Sequence, residues 1–321
     1  MIHFFRRFRA TYRALQLQFE DRRLESVDLN STILSRHPAD LPARQSKKLC
    51  LFAHYDPSGK IANYVMDHCA ALKSNGYDII LISTSPSLEN SEIERGSQLI
   101  RRIIHRRNAG YDFVSWRIGM TSTDDFSQYD ELLLTNDSIF GPFSDLSNIF
   151  AKIEASSYLV SGLTDNWEKC YHLQSFFIHF KKPAIHSDTF KRFWDNVRMR
   201  ADKETIIISY EVGLSQAFIR DGYSLNALFP FHEVRDKCIA MGDKFQYRDR
   251  ILRQPVNSTI FMWDILLKDF GFPYIKTELL KINRFQSMTI PQWRNLIPED
   301  FKPAAQKCED FLKLGHENCR I

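Results

Sequence analysis

Tyr129-Asp-Glu-Leu-Leu-Leu-Thr-Asn-Asp-Ser-Ile-Phe-Gly-Pro142 is the stretch on which the reading of the fold turns. Its apolar run, Leu132-Leu133-Leu134, reads as a buried strand that stops in Thr135-Asn136-Asp137-Ser138 before Gly141-Pro142 break the chain. In an open α/β sheet, ligands bind in the crevice outside the carboxyl ends of the strands. Asn136, Asp137 and Ser138 therefore form a candidate site for phosphate, metal or sugar. The same residues make an Asx-type turn unaided, and this stretch alone leaves both readings open.

Working outward toward the N-terminus, the pattern is βαβ. Leu49–Ala53 reads as a short buried strand and His54-Tyr-Asp-Pro-Ser-Gly59 as the loop at its carboxyl end. Ile61 to Ser74 follows as a helix, stopped by Asn75-Gly76, and Tyr77 to Ser83 as the next strand. A second unit ends in His105-Arg-Arg-Asn-Ala-Gly-Tyr-Asp-Phe113. Arg106 and Arg107 supply charge, Asn108-Ala109-Gly110 a turn with exposed N–H groups, and Asp112 an acceptor. Arginine forks and turn amides suit a diphosphate, and they equally suit a solvated loop. A helix over Phe113 to Met120 then leads back to Leu132, placing Asp112 and Asp137 at neighbouring strand ends.

Toward the C-terminus, Leu146 to Ile153 reads as a helix and Tyr158 to Thr164 as a strand. His172-Leu-Gln-Ser-Phe-Phe-Ile-His-Phe180 alternates as one strand, with His172 and Gln174 on the same side. A histidine beside a strand is commonly a hydrogen-bonded structural residue as well as a candidate for function. Tyr210 onward reads as a helix stopped by Gly222, with Glu211 near its start. The helix dipole would keep that carboxylate ionised, as suits a base or an ordinary capping residue. From Phe231 the pattern turns helical, and the last thirty residues read as a helical cover.

The 321 residues allow one large or two ordinary domains. With 44% hydrophobic and 26% charged residues, 12 Gly and 12 Pro, the composition is that of a globular protein. Aromatics at 13%, including 25 Phe, point to a partly apolar or membrane-adjacent surface. A net charge of +4 gives no argument for nucleic acid and is compatible with phosphorylated small molecules or anionic lipid. Six cysteines, at 50, 69, 170, 238, 308 and 319, show no metal-type spacing and read as reduced thiols. No signal peptide or spanning run is expected. Met1, Phe5, Phe8, Tyr12, Leu15 and Phe19 recur at steps of four and three among Arg6, Arg7, Arg9 and Arg13. Such a helix can lie on an anionic membrane or pack on its own domain. Residues 28 to 48 read as a polar linker. The organisation expected is residues 1–47 as helix and linker, 48–230 as the α/β domain, and 231–321 as a mainly helical extension.

Four segments, Arg107-Asn-Ala-Gly-Tyr-Asp-Phe113, Asn136-Asp-Ser-Ile-Phe-Gly-Pro142, His172-Leu-Gln-Ser-Phe-Phe177 and Tyr210-Glu-Val-Gly-Leu-Ser215, occur in that order. Together with Gly271-Phe-Pro-Tyr-Ile-Lys276, they resemble the rhamnan synthesis protein F family of bacterial polysaccharide glycosyltransferases, over roughly residues 48 to 285. The resemblance implies an A-type glycosyltransferase-like, Rossmann-like sheet with helices on both faces. It implies a nucleotide sugar donor, dTDP-rhamnose, and a glycan or lipid-linked glycan acceptor in synthesis of O-antigen or capsule. The reduced cysteines, modest net charge and basic amphipathic start lead to the expectation of a cytoplasmic protein at the inner face of the membrane, with no nucleic acid partner.

The resemblance also suggests roles. Glu211 matches the acidic residue heading the acceptor-side helix and would be the base, with His172 beside it and Gln174 lining the acceptor side. Arg106, Arg107, Asn108, Gly110, Asp112, Asn136, Asp137 and Ser138 would hold the donor. Asp137 takes the place of the metal-binding acidic motif, but Asn136-Asp137-Ser138 offers one carboxylate where two are typical. Mg2+ or Mn2+ at Asp137, and metal-free stabilisation of the diphosphate by Arg106 and Arg107, are both open. A non-catalytic nucleotide- or glycan-binding module and a lipid-surface scaffold are the alternatives to an enzyme.

Overall fold

The computed structural model describes residues 24, 26–200 and 202–317. The basic amphipathic helix expected over the first twenty-odd residues, with its membrane contact, lies outside the described residues, as does Cys319. In chain order the strands are β1 (Ile33–His37), β2 (Lys48–His54), β3 (Tyr77–Ser83), β4 (Arg102–Arg106), β5 (Glu131–Asn136), β6 (Ile139–Phe140), β7 (Val160–Asn166), β8 (His172–Leu173), β9 (Phe177–Lys181), β10 (Leu225–Phe229) and β11 (Ile275–Lys276).

The parallel strands β2, β3 and β5 are near-continuous apolar runs, and β4 carries Ile103-Ile104 between polar ends, because both faces of the sheet are covered. Cys50, Phe52, Ile79, Leu81 and Leu133 face one hydrophobic cluster, packed under the helices Asn63–Ser74, Ser147–Ala155 and Lys302–Glu317. Leu49, Leu51, Ile80, Ile82, Leu132 and Leu134 face the other, under Tyr111–Thr121, Asp188–Asp195 and Gly213–Arg220. The two-residue period of a strand produces this division.

Among the described residues, nine strands form one sheet in the order β1-β4-β3-β2-β5-β9-β7-β10, with β8 paired to β7. If β2, β3, β4, β5, β7 and β9 are counted first to sixth, the order is 3-2-1-4-6-5, and the sixth is antiparallel to both its neighbours. A doubly wound dinucleotide sheet has the fifth and sixth exchanged. The crevice where the strand order reverses lies at the carboxyl ends of β2 and β5.

Two sequence expectations are corrected here. Part of the stretch expected as polar linker forms β1, which pairs antiparallel to β4. It is an edge strand with alternating partial exposure, so its polar residues resemble a connection. His172 to Phe180 is not one strand. β8 ends at Leu173, and the backbone N–H of Gln174 turns to the Thr164 carbonyl (3.0 Å) before β9 begins. The mainly helical C-terminal extension packs on the sheet, with Phe261, Trp263, Leu266, Tyr274 and Cys308 in the same core. It also supplies β11, antiparallel to β6 with Lys276 opposite Ile139. No described helix is long and apolar enough to cross a membrane.

Candidate active site

The strand ends build the site from β2 and β5. Ala53 pairs with Asn136, and just beyond them the backbone N–H of Tyr55 donates to Asp137 Oδ2 at 2.6 Å. Asn136 Oδ1 accepts from the Ser138 N–H (3.1 Å) and hydroxyl (2.6 Å), which closes the Asx turn. Asn136 Nδ2 donates to Asp112 Oδ2 at 2.8 Å. The turn and the site are thus one arrangement, with Asn136 fixing Asp112 and closing the turn that carries Asp137, while the Tyr55 N–H holds the Asp137 carboxylate.

Burial pushes the Asp137 carboxyl up to about 7, with Asp112 adding to the rise and the Tyr55 N–H opposing it. Burial also raises Asp112, against the hydrogen bond from Asn136 and the charges of Arg106 and Lys276. These are carboxyl groups short of positive charge. Among the described residues, no three His, Cys, Asp or Glu side chains gather as a metal cage. A divalent cation would have Asp137 as its protein ligand, with diphosphate oxygens and water completing the shell, an arrangement that suits Mg2+.

Arg106 and Arg107 separate in the structure. Arg106 is fully buried, and its guanidinium donates to the carbonyls of Arg107 (3.1 Å), Ala109 (2.6 Å) and Tyr111 (3.0 Å) and to the Ser115 hydroxyl. Its nitrogens are engaged in shaping the loop, and desolvation lowers its pKa to about 10. The expectation of a diphosphate ligand at Arg106 is therefore replaced by a loop-shaping role. Arg107 and Asn108 are exposed on that loop. Gly110 (φ +76) and Tyr111 (φ +56) turn it left-handed into the helix, and a Cβ on Gly110 would lie 2.5 Å from Val114 Cγ2.

Glu211 does not head a helix. The helix runs from Lys203, and Glu211 lies inside its π-helical segment Ile207–Val212, so the first-turn dipole argument does not apply. The wider turn instead places Glu211 Oε1 where it accepts from both the N–H and the hydroxyl of Ser175, each at 2.9 Å. Ser175 is thereby the partner that orients the carboxylate, a residue the alternation pattern did not single out. Of the two expected neighbours, His172 is buried with Nδ1 on the Cys170 carbonyl (2.7 Å). Gln174 is buried and accepts from the Thr164 hydroxyl at 2.7 Å. Both side chains have structural partners.

Lys276 is the site residue that sequence reasoning missed. β11 carries its ammonium to 3.3 Å from Ser138 Oγ and 4.2 Å from the centre of the Phe176 ring. Burial lowers its pKa to about 8, against the raising charges of Glu211 and Asp112. Asp112, Glu211 and Lys276 thus sense one another, and Asp137 senses Asp112. The only signal in the sequence is the Gly271-Phe-Pro-Tyr-Ile-Lys276 turn. A cavity of about 340 Å³ bounded by Arg117, Phe126, Phe190 and Trp194 lies elsewhere and contains none of these groups. The convergence of charged side chains at the strand ends marks the site better than that volume does.

Comparison with known proteins agrees with this picture. Virulence protein VirA of Vibrio anguillarum is 27% identical over 253 residues, covering 74% of this chain and 80% of its own. The uncharacterized protein y4gN of Sinorhizobium fredii is 26% identical over 189 residues, 57% of this chain and 49% of its own. A solved structure described as a nucleotide-diphospho-sugar transferase, from Desulfovibrio desulfuricans G20, aligns over 65% of this chain and 95% of its own. At 14% identity and a TM-score of 0.36, it is too distant to bear on the site. The model of rhamnan synthesis protein F matches residues 79–269, more than half of the chain, and the protein, a parallel-dominated α/β sheet with helices on both faces, belongs to the rhamnan synthesis protein F family.

Proposed function

We propose that the protein is a glycosyltransferase that moves a sugar from a nucleoside diphosphate donor to a hydroxyl of a growing cell-surface polysaccharide such as O-antigen or capsule. The observation that carries this reading is the convergence of Asp112, Asp137, Glu211 and Lys276, from four separate segments, at the carboxyl ends of the parallel strands. The family name favours rhamnose, and hence dTDP-rhamnose, as donor. The basic aromatic N-terminal segment would bring the enzyme to an anionic membrane bearing a lipid-linked acceptor.

In this reading the acceptor oxygen attacks the anomeric carbon of the donor sugar, and its proton passes to the free oxygen of Glu211. The bond from that carbon to the diphosphate oxygen breaks, and the diphosphate leaves with the electron pair. Ser175 holds Glu211 Oε1, which aims the other oxygen. Asp112, braced by Asn136, is placed to accept from hydroxyls of the ribose or the sugar. Asp137 would hold a divalent cation that neutralises the diphosphate, and exposed Arg107 and Asn108 would meet the donor from the β4 side.

The test is a donor panel, including dTDP-rhamnose, with a glycan acceptor, with Mg2+ and with chelator, read by release of nucleoside diphosphate. Release from one donor, dependent on acceptor, is expected. Nucleotide binding without release from any donor would instead support a non-catalytic binding module.

A further inference from the structure

We propose that Lys276, delivered by the C-terminal segment, is the cation that receives the leaving diphosphate of the donor. This rests on the transferase reading and names the group that holds its leaving phosphate. It also places the last third of the chain in the chemistry.

The argument begins with backbone. The antiparallel pair β6 and β11 sets Lys276 opposite Ile139, and the Thr277 N–H donates to the Ser138 carbonyl at 2.9 Å. One turn earlier the Phe143 N–H donates to the Pro273 carbonyl at 2.7 Å. Gly141 (φ +128) allows this approach, because a Cβ there would sit 2.5 Å from Pro273 O. The chain is therefore built to bring residues 273–277 against the 138–143 turn. What that construction presents beside Ser138 is an ammonium group.

That ammonium is under-partnered. It has three donors, yet its polar contact is Ser138 Oγ at 3.3 Å, supplemented by the face of Phe176. Among the described residues no carboxylate lies within ion-pair distance of it; Asp112 and Glu211 act on it only from further off. A half-buried cation without a close counter-ion carries a desolvation cost, and an arriving anion lowers it. The adjacent turn belongs to the candidate donor-binding residues; of the two arginines, Arg106 is locked in its loop and Arg107 is exposed on it. Lys276 and the Asp137 side of the crevice then bracket one position, which fits the diphosphate. As the sugar–oxygen bond breaks, charge grows on that diphosphate, and a fixed ammonium stabilises the change.

The experiment compares wild type, Lys276→Met and Lys276→Arg in the full chain. It measures binding of dTDP, UDP, GDP, ADP and CDP and of the corresponding monophosphates by titration calorimetry. Lys276→Gln provides a second neutral variant if Lys276→Met does not fold, and thermal melting reports folding. For the nucleotide the wild type prefers, the neutral variant should lose on the order of tenfold to a hundredfold in diphosphate affinity. Its monophosphate affinity should change by less than about threefold, and Lys276→Arg should keep most of the diphosphate affinity. Equal losses for both phosphates, or no loss for either, would overturn the role of Lys276 while leaving the transferase reading in place. A wild type that binds none of the diphosphates would overturn both.

Discussion

The Tyr55 backbone N–H donates to Asp137 Oδ2 at 2.6 Å, tying the first and fourth parallel strands together at the crevice where their carboxyl ends meet. Burial outweighs that bond, the residue's own N–H and the charge of Lys281, and raises the Asp137 carboxyl to about 7 from 3.8. The fold therefore favours its protonated form. Its contribution to stability is complete below about pH 3.8 and is lost as pH rises through about 7. Asp137→Asn should be more stable than wild type by about 1–2 kcal/mol at pH 8, after allowance for the partial exposure of the side chain. The advantage should vanish near pH 4. Urea unfolding across this range checks it, and added Mg2+ should stabilise wild type but not the variant if Asp137 holds a cation.

Arg106 and Arg107 should differ sharply on mutation. Arg106→Met strands three loop carbonyls and should cost about 2–4 kcal/mol of stability. Arg107→Ala, at an exposed position, should cost less than about 0.5 kcal/mol and act only on donor affinity. Denaturant unfolding with nucleotide titration separates the two effects.

Two buried histidines set an acid limit. Burial lowers His54 to about 4 and His68 to about 3, both from 6.5. Because the fold holds them neutral, their contribution is complete above pH 6.5 and is lost as pH falls toward these values. His68 Nε2 lies 2.9 Å from the hydroxyl of Tyr274, on the segment that carries Lys276. Between pH 7.5 and 5, His68→Gln should lose about 1–2 kcal/mol less stability than wild type, as measured by urea unfolding at the two pH values.

Gly141→Ala combines a backbone conformation that disfavours side chains with a collision against Pro273 O. A loss of about 2–4 kcal/mol is expected. Because the collision displaces β11, diphosphate affinity should fall with it, whereas Gly76→Ala, whose Cβ would meet nothing within 4 Å, should leave diphosphate affinity unchanged. Calorimetric titration of both variants tests the contrast.

The parallel core was legible because strands buried on both faces are written as unbroken apolar runs, as at Leu49–Ala53 and Leu132–Leu134. The edge strands were not: β1 has no buried residue and ends in Ser35-Arg36-His37, and β10 is half-exposed along most of its length. The strand-end cluster around Asn136 and Asp137 could be read locally, since its Asx chemistry lies within three residues. Arg106 could not, because a buried guanidinium and a presented one look alike in sequence. Lys276 meets Ser138 across 138 residues of chain, a proximity created by tertiary packing alone. Glu211 was singled out by the family resemblance and an expected place near a helix start, whereas the π-helical turn in which it lies has no comparable local signature.

The central claim is that Glu211 takes the proton in a sugar transfer at these strand ends. The most direct measurement is nucleoside diphosphate release by wild type and Glu211→Gln, with the best donor and an acceptor glycan, alongside the affinity of each for that diphosphate. Turnover should fall by about 10²–10⁴-fold with diphosphate affinity within about threefold of wild type. Undiminished turnover in Glu211→Gln would contradict the account.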